Sequence, residues 1–120
     1  MESPPIQYNN EQMPFKLLQI NGTCPGREYY VPAVMDGDGI QRAILGRASP
    51  GVSVDVSVEE PTVSRQHAAL VFDGETLYIQ HLSRNNPTFV NGQPLSDGER
   101  RFLRFNDIIT LADIELRLTV

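Results

Sequence analysis

Tight-turn chemistry interrupts this chain about every ten residues, and that spacing limits its fold more than any other feature. Asp36-Gly37-Asp38-Gly39, Asp73-Gly74, Asn91-Gly92 and Asp97-Gly98 are all turn sequences. Nine Gly and nine Pro are spread along 120 residues, so most intervening stretches are too short for a helix. Two stretches alternate strictly between apolar and polar. Val52, Val54, Val56 and Val58 alternate with Ser53, Asp55 and Ser57, and Ile114, Leu116, Leu118 and Val120 with Glu115, Arg117 and Thr119. Period-two alternation marks strands with one wet face. Further strands are expected over 15–20, 28–33, 40–45, 67–72, 76–82, 89–90, 101–105 and 107–111. Residues 99–120 lack Gly and Pro, which makes a helix the rival there. The alternation and the β-branched run Ile108, Ile109 and Thr110 favour strands. The expectation is an all-β, two-sheet sandwich of ten or eleven mostly antiparallel strands.

A chain of this length with 40 % hydrophobic residues can bury one domain core. Residues 1–14 carry Pro4, Pro5 and Pro14 among polar residues and read as a flexible or disordered lead, with the domain over 15–120. Cys24 is the single cysteine, so an internal disulfide framework is excluded and a reducing compartment fits. No apolar run approaches the ~18 residues of a membrane span, and the N-terminus lacks the basic and apolar regions of a signal peptide. Without that signal, Asn21-Gly22-Thr23 carries little weight as a glycosylation sequon. An intracellular, cytoplasmic protein is expected, nuclear being open if the source is eukaryotic, with no membrane insertion. The formal net charge of −5 argues against direct nucleic-acid binding.

Three turn-rich segments carry the remaining chemistry: Gly46-Arg47, Ser64-Arg65-Gln66-His67 and Asn85-Asn86-Pro87-Thr88-Phe89-Val90-Asn91-Gly92. Ser64 and His67 invite a nucleophile-and-base reading. A loop places no geometric demand on that spacing, and the chain has no Gly-x-Ser-x-Gly elbow, so no enzyme is expected. Two histidines and one cysteine are not at ligand spacing, and Asp36-Gly37-Asp38-Gly39 lacks the closing acid of a calcium loop, so neither metal nor cofactor is expected. Anion binding fits better. A phosphomonoester offers about −1.5 to −2 charges and three acceptor oxygens, which two guanidiniums, a hydroxyl and backbone N–H groups can meet. The competing reading pairs Arg47 and Arg65 with Asp55, Glu59 or Glu60 at the surface. Chemistry alone leaves the two level.

Taken in order, Gly46-Arg47, Ser64-Arg65-x-His67 and Asn86-x-Thr88-Phe89-Val90-Asn91-Gly92 resemble a forkhead-associated (FHA) domain. Phe105-Asn106-Asp107-Ile108-Ile109 resembles that family's closing pattern. The resemblance implies a β-sandwich whose loops at one end bind phosphothreonine peptides without catalysis. It implies that Arg47 and Ser64 hold the phosphate, with Arg65 as a second contact, and that Asn86 bonds the peptide backbone. Arg84 and Asn85 would meet residues after the phosphothreonine, Arg84 biasing selection toward acidic or polar peptides. Gly46, His67, Asn91 and Gly92 would be structural support. The family's threonine preference rests on a pocket for the γ-methyl. One buried methyl is worth roughly 0.8 kcal/mol, or about fourfold over phosphoserine.

The implied partner is a phosphothreonine-containing protein, a kinase substrate or a phosphorylated kinase, in signalling. Two positions depart from the pattern. Pro87 stands where the family usually has Gly, fixing φ and restricting Asn86 to extended conformations. His81 stands where Asp is common. These departures and the acidic charge keep a second reading open: an FHA-fold scaffold or self-assembly domain that acts without phosphate.

Overall fold

The computed structural model describes residues 12–120. These residues form eleven strands in two sheets. The first sheet has the order β2-β1-β11-β10-β7-β8: β2 is Glu28–Pro32, β1 Gln12–Gln19, β11 Ile114–Thr119, β10 Ile108–Leu111, β7 Thr88–Val90 and β8 Gln93–Pro94. The second has the order β4-β3-β5-β6-β9: β4 is Val56–Ser57, β3 Gln41–Gly46, β5 Ala68–Phe72, β6 Leu77–His81 and β9 Arg100–Phe102. All pairings are antiparallel except β3 with β4. The sandwich expected from the turn spacing is the fold observed.

Alternation decides which side chains meet between the sheets. On β11 the side chains of Ile114, Leu116 and Leu118 are buried, while Glu115, Arg117 and Thr119 lie outward. Leu17, Val31, Leu45, Leu70, Ile79, Ile109 and Leu111 complete the fully buried centre. Each such side chain contributes about 1.5–3 kcal/mol by leaving water, which is why no helix forms over 99–120.

Three strand expectations are corrected. The valine-rich run does not form a strand over 52–58. Only Val56–Ser57 pairs, parallel to Leu45 and Gly46, and Val52 merely bridges back to Ser49. The Asp55 carboxylate accepts the Ile44 N–H at 2.7 Å, so a side chain occupies the ladder position that a longer strand needs. Strand β9 stops at Phe102 rather than 105, because Asp107 accepts the Arg104 N–H at 2.8 Å and turns the chain. Strand β1 starts at Gln12, before the expected Phe15, with Met13 buried. Pro14, which has no N–H to donate, falls where the register with β2 shifts. The rest of the expected lead, residues 1–11, lies outside the described residues.

Asp36-Gly37-Asp38-Gly39 is a turn, as expected, its Asp36 carboxylate accepting the N–H groups of Asp38 and Ile40. Among the described residues no helix is long and apolar enough to cross a membrane.

Candidate functional site

The end of β3, the segment before β5 and the β6–β7 connection meet at one end of the sandwich. His67 joins them. Its backbone N–H donates to Leu45 O at 2.9 Å, and its carbonyl accepts from Leu82 and Ser83 N–H at 3.1 and 3.0 Å. Its ring Nδ1 accepts the Ser64 backbone N–H at 3.1 Å. That leaves Nε2 protonated to donate to Pro87 O at 2.9 Å. The residue is fully buried, and burial pushes its pKa below the ordinary histidine value. A neutral ring is what this bonding needs, since an imidazolium cannot accept the Ser64 N–H. Both ring nitrogens being occupied, neither is free to take a proton from the Ser64 hydroxyl.

Close backbone contact fixes the second junction. Arg47 N–H donates to Ser64 O at 3.0 Å. Gly46 makes the approach possible: a Cβ there would stand 2.1 Å from Arg65 O. The Arg47 side chain crosses the same segment, its Nε donating to Val63 O at 3.1 Å. Its two terminal nitrogens have no hydrogen-bond partner among the described residues.

The β6–β7 connection is built on Ser83. This buried hydroxyl accepts the Asn85 and Asn86 N–H groups at 3.2 and 3.1 Å. It also meets Ser64 Oγ at 2.7 Å, and Asn86 Nδ2 donates to the same Ser64 Oγ at 2.9 Å. Sequence reasoning missed Ser83. A serine two and three residues before the N–H groups it caps is the ordinary pattern of a side-chain-closed turn, and that signal was available.

These segments enclose an open groove of about 650 Å³. Arg47, Ser64, Arg65, Arg84, Asn85 and Asn86 line it, and Ser83, Gly51, Val52 and Ser53 also border it. No carboxylate lines it. The carboxylates that could have paired with its arginines are held elsewhere. Asp55 bonds Ile44 N–H, Glu59 the Ser57 hydroxyl, and Glu60 the Thr23 hydroxyl and N–H and the Gln19 amide. Those bonds, the Thr23 hydroxyl's above all, hold the Glu60 pKa below the usual carboxylate value. Among the described residues Arg47, Arg65 and Arg84 form no ion pair. Arg84 also borders a smaller groove with His81, Leu82, Asp97 and Gly98.

Asn91 and Gly92 do not line the groove. They close the β7–β8 hairpin with φ of 50° and 82°, a turn that suits Asn-Gly. Asn91 also donates to the Asp107 carboxylate at 3.0 Å and accepts the Ile108 N–H at 2.9 Å. His81 bonds the buried Thr88 hydroxyl at 2.8 Å. Among the described residues no three His, Cys, Asp or Glu side chains are grouped to hold a metal.

The family model for the FHA domain matches residues 43–112, which contain every segment of this site. The chain belongs to the FHA domain family. It is 36 % identical over 70 residues to the protein FraH of Nostoc sp. (strain PCC 7120), a match covering 58 % of this chain and 24 % of FraH. The chain therefore corresponds to about a quarter of that relative's length. One similar solved structure is the FhaA FHA domain complexed with the intracellular domain of Rv3910. It has a TM-score of 0.65 and 25 % identity, over 87 % of this chain and 98 % of that one. Another comes from a structural and functional analysis of phosphothreonine-dependent FHA domain interactions. Its TM-score is 0.67 at 24 % identity, over 88 % of this chain and 95 % of that one.

Proposed function

We propose that this FHA domain is a phosphothreonine-peptide binding module that docks phosphorylated partner proteins and performs no chemistry on them. The observation that carries the reading is the groove in which Arg47, Ser64 and Arg65 meet without a carboxylate. Three guanidiniums facing one cleft repel one another, and a doubly charged ester relieves that repulsion. Arg47 and Ser64 hold the phosphate, Arg65 adds a contact from the rim, and Asn86 and Asn85 face the peptide. Arg84, between the two grooves, meets residues after the phosphothreonine. His67 cannot act as a base for Ser64, which weighs against a hydrolase.

The test is calorimetric titration of a phosphothreonine peptide pool, with phosphoserine and unmodified controls, against wild type and Arg47→Ala. Loss of Arg47 leaves a half-buried phosphate unpaired and should weaken binding by about 2–5 kcal/mol. Equal affinities for the two proteins, or for phosphorylated and unmodified peptides, would refute the reading.

A further inference from the structure

The hydroxyl protons at the site can be assigned by counting. Ser83 Oγ accepts two backbone N–H groups, those of Asn85 and Asn86, which uses both its lone pairs. Its own hydrogen must then serve the 2.7 Å contact with Ser64 Oγ. Ser64 Oγ accepts a second hydrogen from Asn86 Nδ2. With both lone pairs filled, Ser64 has one hydrogen left, and among the described residues that hydrogen has no acceptor. Ser64 lines the groove.

We propose that Ser83 is a positioning residue of the phosphate site, one that neither the family motifs nor the sequence reading singles out. Resting on the phosphothreonine reading, the claim is that Ser83 acts on the ligand through Ser64. By donating to Ser64 Oγ it prevents that hydroxyl from donating inward, so the Ser64 proton is kept for a phosphate oxygen. A hydroxyl facing an anion must present hydrogen rather than lone pairs. An unpolarised Ser64 would be free to rotate its proton toward Ser83 and turn a lone pair to the ligand. Ser83 is largely buried and borders the same groove beside Ser64, so it stands directly behind the hydroxyl it orients.

The experiment is a double-mutant cycle read by fluorescence anisotropy. The probe is a labelled peptide pool with one fixed phosphothreonine and degenerate flanks. Wild type, Ser83→Ala, Ser64→Ala, the double variant and Ser83→Thr are compared. Ser83→Ala should weaken binding about tenfold, the scale of one hydrogen bond to a charged group. In the Ser64→Ala background the same change should cost less than about twofold, because the hydroxyl it positions is gone. Ser83→Thr, which keeps the donor, should restore most of the affinity.

A Ser83→Ala loss of equal size in both backgrounds would overturn the proposal, showing that Ser83 acts only through the turn it closes. An unchanged affinity for Ser83→Ala in the wild-type background would overturn it too. A wild-type protein that binds phosphorylated and unmodified pools alike would overturn the phosphothreonine reading itself, and this proposal with it. That result differs from additivity in a wild type that does bind.

Discussion

Gly46→Ala should damage stability and binding together, and the structure gives the scale. The new Cβ would lie 2.1 Å from Arg65 O, 2.7 Å from Arg65 C and 2.8 Å from Ser64 O, all backbone atoms that cannot rotate away. Ordinary contact requires the 64–65 segment to retreat by roughly 1 Å or more. That retreat breaks the 3.0 Å bond from Arg47 N–H to Ser64 O and strains the 2.9 Å bond from His67 N–H to Leu45 O. Overpacking costs about 1–3 kcal/mol and a lost backbone bond about 1 more. The sum, roughly 2–4 kcal/mol, lowers the melting temperature of a domain this size by about 10–20 °C. Ser64 also moves away from Arg47, so phosphopeptide affinity should fall about tenfold or more, the worth of one charge-assisted contact. Gly74→Ala is the control. Its φ of +99° strains an alanine, but nothing lies within 4 Å, so about 1 kcal/mol should be lost with binding unchanged. Thermal unfolding followed by circular dichroism, with calorimetric titration, reads both effects. If Gly46→Ala melts within a few degrees of wild type (about 3 °C) and binds within about twofold, the close-approach argument is wrong.

Three other perturbations are informative. The His67 pKa is lowered in the fold, so the unfolded chain binds the extra proton first. Its contribution is full above the unfolded value of about 6.5 and is lost as pH falls toward the folded value. Urea midpoints should therefore drop as pH falls below about 6.5 in wild type but not in His67→Asn, and parallel curves would contradict this. Asn91→Ala puts a side chain at φ 50° without the two bonds to Asp107 and Ile108. It should cost about 1–2 kcal/mol in urea unfolding and leave phosphopeptide affinity unchanged at constant fraction folded. Arg84→Ala should flatten the preference for acidic or polar residues after the phosphothreonine in a peptide-library screen, and an unaltered profile would remove Arg84 from that role.

The parts legible in the sequence were those fixed by local rules. Period-two alternation on β11 and the turn pairs Asp73-Gly74 and Asn91-Gly92 act through neighbours in the chain, so the fold class and the hairpins followed. The valine run failed because its outcome was tertiary. Val52 to Val58 has the pattern of a strand, yet the Asp55 carboxylate reaches another strand and takes its ladder position. No periodicity reports such a capture. The same limit hid Ser83. Its turn is local, but its 2.7 Å contact with Ser64 spans nineteen positions and exists only once β5 and β6 pair. Whether Arg47 and Arg65 would face a ligand or a carboxylate was level for the same reason. It depended on where Asp55, Glu59 and Glu60 spend their hydrogen bonds, and those partners lie on other elements.

That last point reconciles an acidic chain with an anion site. A net charge of −5 says little about a groove, because exposed charges more than about 8 Å apart are largely screened at physiological salt. What matters is whether nearby carboxylates can fold over onto the arginines when no ligand is present. Asp55 is tied to Ile44, Glu59 to Ser57, and Glu60 to Thr23 and Gln19, so each would have to give up a formed bond to do so. An exposed ion pair returns only about 0–1 kcal/mol, so giving up a bond already formed to make one gains little. The acidic residues beside the groove therefore serve as anchors for the loops and leave the guanidiniums open. On the proposed function, a phosphate entering the groove would compete with water rather than with the protein's own carboxylates.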